Sequence, residues 1–238
     1  MALTPEQKHP RAVQDMFARI AGRYDLMNRL MTAGRDRAWR RRVVDLAALP
    51  SGGCLLDLGS GTGAIALEAL RRRPEALVVG ADFTLEMMRL GQAKSVETRP
   101  GRPAPAWVGA DALRLPFPEN TFDAVTSGFL MRNMADVEVG FAEQRRVVKP
   151  GGRVVCLETS PPPDNALRPF IDFYLHRVIP VLGHLITGQA DAYRYLPAST
   201  RAFLTPEALG AIMEGVGLRQ VRYERWMFGT ITILVGVK

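Results

Sequence analysis

The run Asp57-Leu58-Gly59-Ser60-Gly61-Thr62-Gly63 joins an apolar stretch, CLLDLG (54–59), to an amphipathic one, AIALEALRRR (64–73). A buried strand that enters a glycine loop and then a helix presents backbone N–H groups at the carboxyl edge of a sheet, where nucleotide-like ligands bind. Gly59-x-Gly61-x-x-Ala64 satisfies the dinucleotide fingerprint when read literally, so a pyrophosphate cofactor is the first alternative. Asp57 argues against it, because an acid two residues before the first glycine lies beside the space a pyrophosphate would take. Two further acids close apolar runs: Asp82 ends ALVVGAD (76–82) and Asp111 ends AWVGAD (106–111). Each alone reads as a cap on the following helix or turn. Three acids at the carboxyl ends of three successive strands make a more specific constellation.

That constellation suits a nucleoside carrying positive charge. S-adenosylmethionine bears a sulfonium and an ammonium against one carboxylate, so Asp57 beside the loop of Gly59, Gly61 and Gly63 becomes an asset. Asp82 is then placed to accept both ribose hydroxyls, as an acid about 20 residues beyond the loop does in dinucleotide sites. Asp111 is placed to hold the adenine amino group. The sulfonium already makes its methyl group electrophilic, so the protein has to hold a nucleophile in line and exclude water.

The elements that would position these acids alternate regularly. After CLLDLG and its helix come ALVVGAD, the helix TLEMMRLGQAKSVE (84–97), AWVGAD and FDAVTSGF (122–129). A helix over 136–148 stops at Lys149-Pro150-Gly151-Gly152, and RVVCLET (153–159) enters as a fifth strand. Thr205-Pro206 supplies a cap residue and a proline at the first helical position for another helix, which ends near Gly217. LRQVRYERW (218–226) and GTITILVGVK (229–238) leave no room for a crossover and should pair antiparallel. The pattern predicts an α/β, Rossmann-like fold: a mostly parallel seven-stranded sheet, an antiparallel last strand, and helices on both faces. Residues 1–50 read as an N-terminal helical lid or substrate segment. Residues 51–238 read as the main domain, with an insertion at 160–203 as the specificity element.

Composition is that of an ordinary globular chain, with 47% hydrophobic and 23% charged residues among 238, which argues against disorder and fibres. No apolar run reaches the roughly 18 residues of a membrane span, and residues 1–15 lack a signal-peptide core, so the expected location is cytoplasmic. Cys54 and Cys156 lie in strand-like runs and read as buried free thiols, and no metal site is expected. Residues 11–42 hold nine arginines against Asp15, Asp25 and Asp36, an excess of six positive charges. That excess suits either a solvated helix face or an anionic surface, nucleic acid or acidic lipid.

Four segments carry a resemblance over nearly the whole chain: MFARIAGRYDLMNRLMTAGRDRAWRR (16–41), the glycine loop with its strand, FLMRN (129–133) leading to VVKPGGRVVCLE (147–158), and ADAYRYLPAS (190–199). With them the sequence resembles the class I methyltransferases and, more narrowly, the ubiquinone/menaquinone biosynthesis C-methyltransferases. The YDLMN (24–28) and YRYLP (193–197) runs are more specific to that family than any glycine loop. The resemblance implies cofactor contacts from Thr62, Asp82, Asp111 with Ala112, and Ser127. It implies methylation of a polyprenyl quinol ring carbon, with demethylmenaquinol ahead of the ubiquinone precursor. Arg132, Asn133, Tyr193 and Asp191 are the residues it offers for catalysis. Arginine stays protonated, so Arg132 would lower the quinol pKa or orient a water, unless it is only an ion pair holding the loop.

Tyr24 and Asp25 could close over the cofactor or simply pack a helix. The chain departs from the family's usual pattern at Ala64, Thr159 and Ala198, where an acid, a phenylalanine and a glutamate are the rule. FIDFYLHRVIPVLGHLI (170–186) is either a buried core helix or an apolar wall for a polyprenyl tail, with His176 packed within it. That wall and the arginine-rich N-terminus together imply transient docking on an acidic membrane surface. No aromatic-basic RNA module is present and no nucleic acid is expected, while self-association as a homodimer stays open. The competing readings are a methyltransferase on RNA or another small molecule, and a non-catalytic S-adenosylmethionine-binding protein.

Overall fold

The computed structural model describes residues 10–98, 100–187 and 190–238. Seven strands form one sheet: β1 (Cys54–Leu58), β2 (Leu77–Asp82), β3 (Ala106–Gly109), β4 (Phe122–Gly128), β5 (Val148–Thr159), β6 (Arg219–Trp226) and β7 (Ile231–Val237). Their order is β3-β2-β1-β4-β5-β7-β6. β1 to β5 pair in parallel, and β7 runs antiparallel to both β5 and β6. The expected architecture is the observed one.

Strand alternation sorts β1 between two cores, since successive side chains point to opposite faces. Leu55 joins the cluster built with Trp39 and Val43 of α3 (Asp36–Ala47) and Ile65 and Leu70 of α4 (Ala64–Arg72). Leu56 and Leu58 join the other, with Phe141 of α6 (Val137–Val147) and Leu209 and Met213 of α10 (Pro206–Gly215). The helix ends follow the sequence signals. Asp136 caps α6 through the amide of Val139, and Thr205 caps α10 through the amide of Ala208. At the far end of α10, Leu218 N donates to Met213 O at 3.0 Å and Gly217 N to Glu214 O at 2.8 Å. Gly217 adopts φ +90°, a conformation that costs glycine little.

Two boundaries differ from expectation. β5 begins at Val148, because Val148 already pairs with Phe122 before the ladder shifts register and resumes at Arg153 with Ala124. β3 stops at Gly109, and Asp111 instead bridges to Arg114.

A third cluster lies off the sheet. Met16 and Ile20 of α1 (Pro10–Ile20) and Met27 and Met31 of α2 (Tyr24–Met31) pack with Ile179 of α8 (Ile179–Thr187) and Tyr193 of α9 (Ala190–Arg201). α7 (Arg168–Phe173) runs through a π-helical turn, Tyr174–Val178, directly into α8. The 170–186 stretch is therefore not a buried core helix. Phe170, Phe173, Val181 and Leu185 are exposed, whereas Ile171, Tyr174, Leu175 and Ile179 face a cavity. His176 is exposed rather than packed, with Nδ1 2.9 Å from the carbonyl of Asp172. No helix among the described residues is long and apolar enough to cross a membrane.

Candidate active site

Two cavities adjoin at the carboxyl edge of the sheet. The smaller, about 170 Å³, opens where β1, β2, β3 and β4 end. Gly59, Gly61, Asp82, Asp111 and Ala112 line it, together with Asn133. The larger, about 450 Å³, is walled by α1, α2, α7, α8 and α9, and its lining includes Arg132 and Tyr193. Phe17, Tyr24 and Phe129 line both.

The glycine loop is shaped by the acid at the end of β2. Gly61 N donates to Asp82 Oδ2 at 2.7 Å, and Thr84 N donates to Asp82 Oδ1 at 2.7 Å. Burial pushes the Asp82 carboxyl above its ordinary range, and those backbone donors oppose the rise. Gly61, at φ +54°, stays bare toward the cavity, and Leu113 N donates to Asp111 Oδ1 at 2.9 Å. Two acids at the rim of a small cleft over bare backbone fit S-adenosylmethionine: carboxylates for hydroxyl and amino donors, and negative charge for a sulfonium.

Four residues expected to touch the cofactor are absent from the lining of the small cavity. Asp57 shares the face of Leu55 beneath α4, and it is 1% exposed. Its oxygens accept from Ala66 N at 3.0 Å and Thr126 Oγ1 at 3.0 Å, so it braces the first turn of α4. Burial raises its carboxyl to about 7 despite those two hydrogen bonds. Gly63, at φ +77°, is needed for packing, since a Cβ there would meet the Trp107 ring at 2.5 Å. Ser127 is fully buried beside Cys156, its neighbour in the β4–β5 register, and the cavity is lined instead by Gly128, Phe129 and Leu130. Thr62 donates to Asp25 Oδ1 at 2.8 Å, and the other Asp25 oxygen pairs with Lys94 of α5 (Leu85–Thr98). Gln14 Nε2 donates to Phe83 O at 2.9 Å, so α1 is also fastened at the edge of the small cavity.

Arg132 ion-pairs with Glu158, the penultimate residue of β5, which is fully buried. Arg132 N donates to Glu158 Oε2 at 3.2 Å, and the guanidinium lies 5.4 Å from the Phe129 ring centroid. Asn133 Nδ2 donates to Phe129 O at 3.0 Å, and Asn133 Oδ1 accepts from Tyr195 OH at 3.0 Å. Asn133 lines the small cavity and Tyr195 the large one, so this hydrogen bond spans the junction. Tyr193 is 3% exposed and packs so closely on Gly183 that a Cβ there would meet its ring at 2.3 Å. The side chain of Asp191 lies outside the described residues. Glu158 and Tyr195 were not anticipated as site residues. Glu158 carried a signal close to that of Asp82, an acid at the carboxyl end of an apolar strand.

Residues 3–238 match the ubiE/COQ5 methyltransferase family. The chain belongs to that family. It is 47% identical over 226 residues to the ubiquinone/menaquinone biosynthesis C-methyltransferase UbiE of Desulfotalea psychrophila, covering 95% of this chain and 90% of that one. Against the demethylmenaquinone methyltransferase of Thermus thermophilus it is 49% identical over 225 residues, covering 93% and 99%. Among solved structures, a SAM-dependent methyltransferase from Aquifex aeolicus superposes with a TM-score of 0.62 at 18% identity, covering 90% of this chain and 96% of that one. The ubiE/COQ5 member described here is thus an S-adenosylmethionine-dependent C-methyltransferase, built on the fold its sheet order displays.

Proposed function

We propose that this enzyme methylates a ring carbon of a polyprenylated quinol, converting demethylmenaquinol to menaquinol. The observation that carries the reading is the junction itself: a small acid-rimmed cleft shares Phe17, Tyr24 and Phe129 with an apolar chamber more than twice its volume. In this reading Asp82 and Asp111 hold the ribose and adenine of S-adenosylmethionine over Gly59 and Gly61. Asp57, Thr62, Gly63 and Ser127 support that site without touching its ligand. When bound, the cofactor supplies a methyl carbon made electrophilic by its sulfonium. The chamber takes the prenyl tail, each buried methylene contributing about 0.8 kcal/mol, and holds the ring at the junction in the absence of water. Arg132, fixed by Glu158, stabilises negative charge on the ring oxygen, and Asn133 with Tyr195 positions the ring.

The test is methyl transfer to short-chain demethylmenaquinol and to the benzoquinol analogue, each offered reduced and oxidised. Transfer to the reduced naphthoquinol ahead of the others is expected. Equal rates on oxidised rings would overturn the mechanism, because an oxidised ring has no hydroxyl to ionise.

A lipid-borne substrate also implies where the enzyme works: a cytoplasmic protein that docks on an acidic membrane face. Leu167, Phe170 and Phe228 are exposed and also line the chamber, so they mark its mouth. Beside it, α2 packs on α8 and the two helices expose Leu26 with Leu30 and Val181 with Leu185, each pair one turn apart. Arg40 and Arg42 are tied to Asp36 and Glu224, which leaves exposed Arg29, Arg35, Arg37, Arg41 and Arg177 to meet anionic headgroups.

A further inference from the structure

We propose that Glu158 is the acceptor for the quinol proton, and that the hydroxyls of Thr200 and Thr159 carry the proton to it. This rests on the quinol reading above. Glu158 has no exposed surface and does not line the chamber, so no substrate atom reaches it directly. Thr159 and Thr200 do line the chamber. Thr200 Oγ1 donates to Thr159 Oγ1 at 3.1 Å, and Thr159 Oγ1 donates to Glu158 Oε1 at 3.3 Å. Both hydroxyls thus point their protons toward the carboxylate, and the Thr200 oxygen keeps a lone pair for a donor arriving from the chamber.

The file of hydroxyls ends beside the reacting edge. Phe129 N donates to Leu157 O at 2.7 Å, which places the end of β5 against the residue that lines both cavities. Arg132, the ion-pair partner of Glu158, lies over that same phenylalanine ring. Asp36 does line the chamber, but it is taken by Arg40 and Thr32 on the α2–α3 side and has no place in the small cavity.

The step balances. The quinol O–H bond breaks and its proton goes to Thr200 Oγ1, whose own proton passes to Thr159 Oγ1, whose proton passes to Glu158 and leaves it a neutral acid. The electron pair stays on the ring oxygen and is delocalised onto the neighbouring carbon, which attacks the methyl group as the carbon–sulfur bond breaks. The proton on the methylated carbon then moves to the ring oxygen, restoring the aromatic quinol, and Glu158 returns its proton through Thr159 and Thr200 to the chamber once the product leaves. Throughout the transfer the Arg132 cation faces one negative charge, which moves from the carboxylate to the ring oxygen. Methyl transfer then neutralises the ring oxygen as the sulfonium becomes a neutral sulfide, and Arg132 regains its anionic partner when Glu158 gives up its proton.

Thr200→Val, Thr159→Val and Thr200→Ser test this with short-chain demethylmenaquinol across a range of pH. Each valine variant should lose roughly 100-fold in kcat near neutral pH, the scale of general base catalysis, with KM little changed. Its rate should then climb about tenfold per pH unit, because the quinolate has to arrive already ionised from solvent. Thr200→Ser should restore both the rate and the wild-type pH profile, and calorimetric binding of S-adenosylhomocysteine should be unchanged in all three. Valine variants with wild-type kcat and profile overturn the relay, as does a serine variant that fails to rescue while still binding S-adenosylhomocysteine. A wild-type enzyme inactive on every quinol overturns the quinol reading and the relay with it, whereas an active wild type beside unaffected variants overturns the relay alone.

Discussion

The Thr62 hydroxyl donates to the Asp25 carboxylate at 2.8 Å, so the glycine loop is tied to α2, a helix that also walls the substrate chamber. Lys94 holds the same carboxylate from α5. Asp25→Ala should therefore disturb both ligands at once, although Asp25 itself lines neither cavity. Loss of one hydrogen bond of this kind is worth about 1 kcal/mol, or roughly fivefold in affinity. Calorimetry with S-adenosylmethionine and steady-state kinetics with the quinol should both show it. An effect on the quinol KM alone would break the link.

Asp82 does two jobs, shaping the loop through Gly61 N and facing the cleft. Asp82→Ala should weaken S-adenosylmethionine binding by about 1.5–3 kcal/mol, the range for hydrogen bonds to a charged group, which is roughly 10- to 150-fold. Unchanged affinity by calorimetry would remove Asp82 from the ribose site.

These two residues mark the limits of what could be read from the sequence. The β–α alternation, the glycine loop and the acid closing β2 are local patterns with a direct geometric meaning, and the structure displays each of them, whereas Asp111 lies two residues beyond the end of β3. The facing of Asp57 is legible in strand parity too: it lies two residues after Leu55 and must share its face, beneath α4. The chamber was not legible. It depends on α1 and α2 meeting α8 and α9 across more than a hundred residues of chain, and on Tyr195 reaching Asn133. Nothing in the local spacing of YRYLP says which of its two tyrosines does so.

The stability of the fold should carry a pH signature from Asp57. Its folded pKa is raised to about 7 by burial, while an unfolded aspartate titrates near ~3.9. Between those values the folded state holds the proton more tightly than the unfolded one, so this residue makes the fold less stable as pH rises from about 4 to about 7, and adds no further change above that. Each pH unit in the window is worth at most about 1.4 kcal/mol. Asp57→Asn should flatten the dependence, gaining on wild type as the pH rises. Parallel urea-midpoint curves for the two proteins from acid to neutral pH would contradict the assignment.

Membrane docking should depend on the aromatic mouth more than on the arginine-rich α3. Phe170→Asp with Phe173→Asp should reduce co-sedimentation with vesicles containing anionic lipid, and should raise KM for a long-tailed quinol while sparing a short-tailed one. Neutralising Arg40 and Arg42, already paired with Asp36 and Glu224, should change binding little. Full retention of the phenylalanine variant on vesicles at low salt would rule this face out.

The party wall of Phe17, Tyr24 and Phe129 has a mutational corollary. A substitution at any of the three should be felt by both ligands. α7 and α8 contribute only to the chamber. Substitutions on the chamber-facing side of those two helices should therefore change the fit of a prenyl tail while the methyl-donor site stays as it is.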